Sequence, residues 1–353
     1  IGMQLKGTSS AFGLVQNPDN PGLMTAMSNG LSRFHLNEDG SVKQTDFWQT
    51  PAVRGIARAE VAGVQFVATQ NDIFLIRDQD SSDTLPTKVF TADTPIEWIR
   101  SEENGRLLIV KSSNALKLLA FDKGYQRGCP VNFAPMPPEP IKLATFRPRS
   151  SDLVITQKNT AQIWRFSGIN DDCNSVRLTQ TGYAIPSGLG DILTLGFSPS
   201  GQHLWLGTFT GQIYAVDLQD PATGTTLLEG TSTLEPSALT ASNDTLVVGD
   251  TMGRLYLYLP DNAGQQGTSK RLSLPLLINQ HFHTSTIRSL DISDDGRWLV
   301  SSSDTGTAIW DLRLETWKRK ACELAGKRSF SDDEKVRYFK YTPVPPNPCI
   351  TSL

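Results

Sequence analysis

The sequence lacks several features that would assign it quickly to a functional class. It has only four cysteines in 353 residues, namely Cys129, Cys173, Cys322 and Cys349. They are far apart and form no C-x-x-C pair, so the sequence predicts neither a disulfide framework nor a zinc knuckle. Isolated thiols are therefore expected, and with them a cytoplasmic location. No apolar run approaches the roughly 18 residues that span a bilayer, so no membrane partner is predicted.

The sequence also lacks a large excess of either positive or negative charge. The 33 Lys and Arg residues nearly balance the 36 Asp and Glu residues, which gives a formal net charge of −3. Such a chain has no overall field that would attract a polyanion, so no nucleic-acid partner is predicted.

Motifs for catalysis are absent as well. The sequence contains no G-x-x-x-x-G-K-[ST], G-x-S-x-G or H-E-x-x-H, so no catalytic residue and no cofactor are predicted. A metal cluster of His203, His281 and His283 is disfavoured, since His283 has a more plausible role in a repeat. The acidic pair before Gly296 is read as a simple turn, and no metal site is predicted.

Seven short segments share one pattern along the chain. In each, a residue that favours a tight turn is followed by an alternating or continuous apolar stretch. The turn residues are Gly30, Asp72, Asn114, Asn159, Gly211, Gly253 and Gly306. Their successive spacings are 42, 42, 45, 52, 42 and 53 residues, as in a repeat protein. Because Gly and Asn tolerate positive φ, each is predicted to join two antiparallel strands in a hairpin.

An apolar anchor precedes each turn. The anchors are Ala11, Val53, Ile96, Ile141, Ile192, Pro236 and Ile287. The copies that begin at Ile192 and Ile287 align without a gap and give the order strand, turn, strand, hairpin, strand. A fourth strand from the variable linker makes a blade of about 40–45 residues. The predicted fold is all-β, a seven-bladed β-propeller of four-stranded antiparallel blades.

The seventh copy resembles a WD-repeat. It runs from His283 to Leu312 and ends in the Trp-Asp pair at Trp310. In the WD-repeat family, a His, a strand Ser or Thr, a turn Asp and the Trp form a hydrogen-bonded chain that stiffens the blade. The resemblance assigns this chain to His283, Ser301, Asp304 and Trp310.

The other copies depart from this pattern. Phe34, Tyr214 and Tyr256 replace the Trp and only Trp164 repeats it, so these blades are expected to rely on apolar packing alone. The seventh copy supplies three strands, so residues 1–7 are expected to close it as the fourth. The propeller is predicted to span residues 1–312.

The last part of the sequence changes character. Helical periodicity begins at Leu314, Gly326 is a plausible stop, and Ser331 with Glu334 forms a capping box for a second helix. Residues 313–353 are therefore predicted to form a helical tail packed on or beside the propeller. From 312 to 353 the sequence has nine Lys and Arg residues against five Asp and Glu residues.

This tail is similar to the segment that follows the propeller in large bacterial multidomain WD-repeat proteins. The similarity lies in A-C-E-L-A-G-K-R-S-F-S-D-D-E from Ala321, followed by Tyr338, Tyr341 and Cys349. In that group, the propeller lies behind a NACHT or STAND nucleotide-binding module or another effector. The resemblance implies a C-terminal sensor part of a longer bacterial protein, and the start at Ile1 agrees with that expectation.

Candidate binding residues come from two places. Three long linkers, 124–140, 168–190 and 261–283, are expected to be surface hairpins or partner-contact loops. Residues beside the anchors are expected to ring one mouth of the central channel. The predicted partner-binding residues are Arg54, Glu97, Trp98, Lys142, His281, Phe282 and Arg288.

The leading hypothesis is a non-catalytic, monomeric propeller that binds a protein or senses a ligand for signal transduction. Its partner would be another protein or an upstream domain of the same polypeptide. A stand-alone scaffold for a complex is one alternative. A propeller enzyme with a site in the central channel is the other, although the residues expected at the channel mouth are chemically mixed.

Overall fold

The structure is a computed structural model of the chain. The structure describes residues 2–5, 8–15, 22–27, 29–39, 41–59, 61–113, 115–134, 137, 140–157, 160–169, 173–184, 189–219, 225–228, 235–242, 245–258, 276–278, 282–293, 295–325, 331–338 and 349.

Seven antiparallel blades form the molecule, each with its strands ordered from the centre outward. The innermost strands are β2 (Thr8–Val15), β6 (Gly55–Ala59), β10 (Ile96–Ser101), β15 (Leu143–Phe146), β19 (Ile192–Phe197), β23 (Pro236–Ala241) and β27 (Ile287–Ile292). Each innermost strand contacts that of the next blade, and β27 contacts β2, so the ring is closed. The fold is the seven-bladed β-propeller that the repeat predicted.

The remaining strands complete the blades, which we number one to seven from β2 to β27. The second strands are β3 (Gly22–Met27), β7 (Val64–Ala68), β11 (Leu107–Ser112), β16 (Asp152–Gln157), β20 (His203–Thr208), β24 (Leu246–Asp250) and β28 (Trp298–Ser303). The third strands are β4 (Gly30–Leu36), β8 (Asp72–Arg77), β12 (Ala115–Phe121), β17 (Thr160–Ser167), β21 (Ile213–Asp217), β25 (Leu255–Tyr258) and β29 (Gly306–Asp311). The outer strands are β5 (Val42–Gln49), β9 (Thr87–Thr91), β13 (Gly128–Val131), β18 (Arg177–Ala184), β22 (Thr225–Leu228), β26 (Leu276–Ile278) and β1 (Gly2–Leu5).

The two copies that align without a gap also share a backbone conformation. Gly201 and Gly296 end the turn between the first and second strands of the fifth and seventh blades, and their φ angles are 68° and 69°. A residue with a β-carbon is strained at such an angle, so glycine suits both turns. The neighbouring Asp295 accepts the backbone N–H of Arg297 at 2.9 Å and acts as a turn residue.

The seventh blade takes its outer strand from the start of the chain. β1 pairs antiparallel with β29, with Met3 opposite Ile309 and Leu5 opposite Thr307. The two ends of the ring therefore meet in one sheet. β29 is therefore paired on both sides, and β1 forms the outer edge of the blade.

The core lies between blades rather than in one central mass. Each of seven clusters of buried apolar side chains joins two adjacent blades, and together they cover every neighbouring pair. The pattern follows from the strands, which alternate buried side chains toward both blade faces. Trp164 and Trp310 are the largest fully buried side chains of the described part. Sheets that pack on both sides leave the innermost strands lining an axial channel.

Two helices follow the last blade, as the periodicity predicted. They are α1 (Leu314–Ala325) and α2 (Asp332–Tyr338). The capping box is formed, since the Ser331 N–H donates to Glu334 Oε2 at 2.9 Å and the Glu334 N–H donates to Ser331 Oγ at 3.3 Å. Trp317 of α1 packs against the core between the sixth and seventh blades and donates to the Asp311 carbonyl. These contacts attach α1 to the propeller.

The four cysteines are paired, so the prediction of isolated thiols was wrong. Cys129 of β13 is bonded to Cys173, and Cys322 of α1 is bonded to Cys349. The two pairs are separated by 44 and 27 residues, and spacings of this kind do not identify a disulfide from the sequence. Disulfides persist mainly in oxidising compartments, so the cytoplasmic location loses the support that isolated thiols gave it.

The long linkers contain more structure than surface hairpins. The first two supply outer strands β13 and β18 of the third and fourth blades. A short extra strand, β14 (Phe133–Ala134), pairs in parallel with β18. Together with the Cys129–Cys173 bond, it joins the outer edges of these two blades. Most of the third linker, from 261 to 275, lies outside the described residues.

Candidate functional site at the channel mouth

The seventh blade contains a buried hydrogen-bonded chain. His283 Nε2 lies 2.7 Å from Ser301 Oγ, and the indole N–H of Trp310 donates to the same hydroxyl at 2.8 Å. The other imidazole nitrogen, Nδ1, lies 2.8 Å from Ser303 Oγ. Burial lowers the pKa of His283 to about 4, so the imidazole is neutral at neutral pH. The chain ties the loop before the first strand to the second and third strands.

Asp304 does not belong to this chain, which corrects one predicted member. Its carboxylate is exposed and forms a two-bonded ion pair with Arg288, at 3.1 and 3.0 Å. The turn between the second and third strands is short, with Ser303 directly opposite Gly306. The hydroxyl of Ser303 therefore meets His283, while the Asp304 side chain points away from the core.

The sixth blade contradicts the expectation of apolar packing alone. Asp250 is fully buried and accepts from the Arg254 guanidinium at 2.5 Å and from the Tyr256 hydroxyl at 3.3 Å. Burial and the nearby Asp250 carboxylate raise the pKa of Tyr256 to about 12. The tyrosine at the tryptophan position therefore also forms a hydrogen bond inside its blade, although with a different partner.

The fourth blade does rely on packing. Trp164 meets the ring of Phe133 edge-on at 5.1 Å, and its indole N–H has no hydrogen-bond partner in the part of the chain that the structure describes. The sheet register explains the difference, since Ile155 occupies the place that Ser301 holds in the seventh blade. An isoleucine offers no acceptor, so the repeated tryptophan does not bring the hydrogen bond with it.

In five of the seven blades, the residue that follows the anchor lies at one mouth of the axial channel. In the third, fifth, sixth and seventh blades, a register shift falls at this residue. The shifted residues are Glu97, Leu193, Ser237 and Arg288. A bulge re-aims its side chain, and all four line one cavity of about 460 Å³.

Four of the predicted partner-binding residues come together here. Arg54, Glu97, Trp98 and Arg288 line this cavity, which we call the channel mouth. Arg54 and Glu97 are exposed, and among the described residues neither side chain has a hydrogen bond or an ion pair. Arg288 is held by Asp304. Trp98 is half-buried and packs against the core between the third and fourth blades.

The structure does not bring the other three predicted residues to the channel mouth. Lys142 occupies the equivalent position of the fourth blade but lies 3.9 Å from Asp191, outside the lining of the cavity. Phe282 packs edge-on against Trp310 at 5.0 Å, inside the blade core. His281 lies outside the described residues.

Sequence reasoning missed Arg100. This side chain lines the channel mouth and the next cavity along the axis, and its guanidinium carbon lies 5.5 Å from the centre of the Trp98 ring. The signal was present in the alignment, since Arg100 is the fourth residue after the anchor Ile96. The bulge at Glu97 obscured it, because strict alternation from Ile96 does not hold across a register shift.

The cavities form a continuous passage along the axis. The second cavity shares Ile99, Arg100 and Leu290 with the channel mouth, and it shares Arg58, Phe146 and Asp291 with a third at the opposite end. In the part of the chain that the structure describes, no group of three or more His, Cys, Asp or Glu residues is placed to hold a metal ion. The described helices include none that is long and apolar enough to cross a membrane.

The match to a known protein family covers one blade. The family WD domain, G-beta repeat, matches residues 275–311. Together with the seven sheets, this match supports a WD-repeat β-propeller. No curated protein matches the chain. A WD-repeat propeller fits a protein-interaction role. The channel mouth brings together four of the seven predicted contact residues.

Proposed function

We propose that this propeller is a non-catalytic interaction module that binds a partner polypeptide at the channel mouth. The observation that carries the proposal is the clustering of Arg54, Glu97, Trp98 and Arg288 around one open cavity. Arginine and tryptophan are the residue types that most often dominate binding energy at protein interfaces. A rigid ring that holds such side chains beside its innermost strands suits recognition, because the binding residues need little ordering.

Scaffolding of a larger complex is the second candidate. It is favoured by the attachment of α1 through Trp317 and by the disulfide between Cys322 and Cys349. These contacts attach α1, which has three Lys or Arg residues against two Glu residues, beside Asp311 at the end of β29. A scaffold would need two surfaces, so it adds to the first proposal rather than replacing it.

The place of the propeller in a longer protein is part of the proposal. The tail that begins at Ala321 resembles the segment after the propeller in bacterial proteins with a NACHT or STAND module, and its capping box is formed. On this basis, we propose that partner binding is passed to an effector domain of the same polypeptide. Purification of the chain from its native host, followed by intact mass measurement, tests this arrangement. A mass equal to that of residues 1–353 alone would contradict it.

Selection from a random dodecapeptide library displayed on phage tests the interaction directly. The chain is immobilised, and enriched peptides are then measured against a variant with Arg54→Glu and Arg288→Glu. Both side chains are exposed, so the variant should keep the melting temperature of the wild type. We expect enriched peptides to lose at least about tenfold in affinity, the loss typical of interface anchors.

A matched control carries the same two charge reversals elsewhere. Arg149 lies at the opposite mouth and Arg319 lies on α1, and both are exposed. The variant with Arg149→Glu and Arg319→Glu should bind the selected peptides as the wild type does. Peptides that bind both variants equally would place recognition away from the channel mouth. A selection without enrichment would refute the proposal.

A further inference from the structure

Arg100 occupies an unusual position within the channel. It is the fourth residue after its anchor, and the equivalent residues of other blades form a ring one step inward from the mouth. The described members of this ring are Ala57, Arg100, Thr145, Gly196, Thr240 and Asp291. Four of these six are small and uncharged, so they leave open space beside the guanidinium.

No described residue neutralises Arg100. Among the described residues, its guanidinium forms no hydrogen bond or ion pair, and its one specific contact is with the face of Trp98 at 5.5 Å. Asp291, the other charged member of the ring, is not paired with it; Asp291 accepts the backbone N–H of Ile292 at 3.0 Å. Surrounding protein lowers the pKa of Arg100 through desolvation, although solvent still reaches the side chain through the channel. An arginine in such a place retains its charge and lacks a partner.

The net charge of the residues around the channel mouth matches a ligand with a single negative charge. Three arginines, Arg54, Arg100 and Arg288, line the cavity with Glu97, and Asp304 is bonded to Arg288, which leaves a net charge of +1. A singly charged carboxylate matches this balance better than a doubly charged phosphate. Carboxylates also accept two parallel hydrogen bonds from a guanidinium, which fixes their orientation.

We propose that Arg100 binds a carboxylate group that enters the channel from this mouth. The Trp98 ring holds the guanidinium in place from one side, and Arg54 attracts the anion at the entrance. The carboxylate comes from an acidic side chain of the partner polypeptide or from a free organic acid. The first source rests on the interaction proposed above, whereas the second does not.

Fluorescence anisotropy with two labelled peptides tests this assignment. Both are hexapeptides with an amidated C-terminus and a rhodamine label; one alternates Gly and Glu, and the other has Gln in place of Glu. We expect the wild type to bind the Glu peptide at least about tenfold more tightly than the Gln peptide, the ratio expected for a charged hydrogen bond. Arg100→Gln should abolish this preference. Arg149→Gln, the same change at the opposite mouth, should preserve it.

Chemical protection tests the site without a variant. Phenylglyoxal modifies accessible arginines, and peptide mapping by mass spectrometry shows which ones react. The Glu peptide should protect Arg100 and leave Arg149 reactive. This result would support the assignment even if Arg100→Gln fails to fold.

Lactate, a free acid with a single negative charge, separates the two sources. If lactate protects Arg100 and the Glu peptide does not, the carboxylate site stands with a free acid as its ligand, and the peptide source is ruled out. If selected phage peptides bind wild type and Arg100→Gln equally and lactate does not protect Arg100, the interaction stands and the carboxylate site fails. Equal affinity of the wild type for the Glu and Gln peptides, without protection by lactate, would also overturn the assignment.

Discussion

Met3 lies opposite Ile309 in the antiparallel pair of β1 and β29, so the first and last strands of the propeller share one sheet. This relationship makes the ring dependent on a short segment at the start of the chain. The segment is an outer strand of four residues, yet its loss would leave β29 as an open edge.

Deletion of residues 1–7 should therefore destabilise the ring. Several backbone hydrogen bonds are lost, each worth about 0.5–1.5 kcal/mol, so we expect a fall in melting temperature of about 5 °C or more. Differential scanning calorimetry measures the change. A synthetic peptide of residues 1–7 added in excess should restore part of the loss. An unchanged melting temperature would refute the closure.

Ser301→Ala should weaken the seventh blade. The substitution leaves the Trp310 N–H and one nitrogen of His283 without a buried partner, which costs about 1–3 kcal/mol in the free energy of unfolding. Denaturant titration measures this change. Ser285→Ala is the matched control, because the Ser285 hydroxyl is buried without a hydrogen-bond partner among the described residues, so its removal should cost little. Equal effects of the two variants would mean that the hydrogen bonds of Ser301 contribute nothing to the stability of the blade.

Stability should fall as the pH drops through the range set by His283. The folded-state pKa of about 4 lies below the unfolded value near 6.5, so protonation favours the unfolded state. The stabilisation is complete above pH 6.5 and is lost between pH 6.5 and 4; the loss is about 2 kcal/mol at pH 5. His283→Asn should remove this part of the pH dependence. His203→Asn should retain it, and an identical pH profile for wild type and His283→Asn would contradict the account.

Both disulfides should be detectable in the purified chain. Thiol titration in denaturant without reductant should find no free cysteine, and reduction should release all four. Replacing Cys129 and Cys173 by serine should reduce the free energy of unfolding by up to about 4 kcal/mol, since the closed loop is long. The corresponding change at Cys322 and Cys349 should affect the tail more than the ring. Four free thiols in protein prepared without reductant would show that the pairs do not form.

Much of the fold could be predicted because the repeat is encoded locally. A turn residue and an apolar strand are short-range signals, and each copy repeats them, so the seven blades followed from spacing alone. The capping box of Ser331 and Glu334 is equally local. Contacts between distant segments left no such signal. The Cys129–Cys173 bond and the pairing of β14 with β18 depend on how variable linkers fold back on the blades.

The candidate site was predicted in part for the same reason. Arg54, Glu97 and Arg288 follow their anchors directly, so alignment of the copies placed them at one mouth. Arg100 lies beyond the bulge, where the alternation of the strand is shifted, and Asp304 was assigned by resemblance although its turn directs it to Arg288. Local irregularities of this kind decide where a side chain points and are not visible in an apolar pattern.

The affinity of one selected peptide for wild type and for the variant with Arg54→Glu and Arg288→Glu tests the central claim most directly. Isothermal titration calorimetry at a fixed, low salt concentration measures both, with the melting temperature of each protein as the check on folding. We predict that the variant binds at least about tenfold more weakly, because it reverses two of the charges that line the mouth. Equal affinities for the two proteins would contradict recognition at the channel mouth.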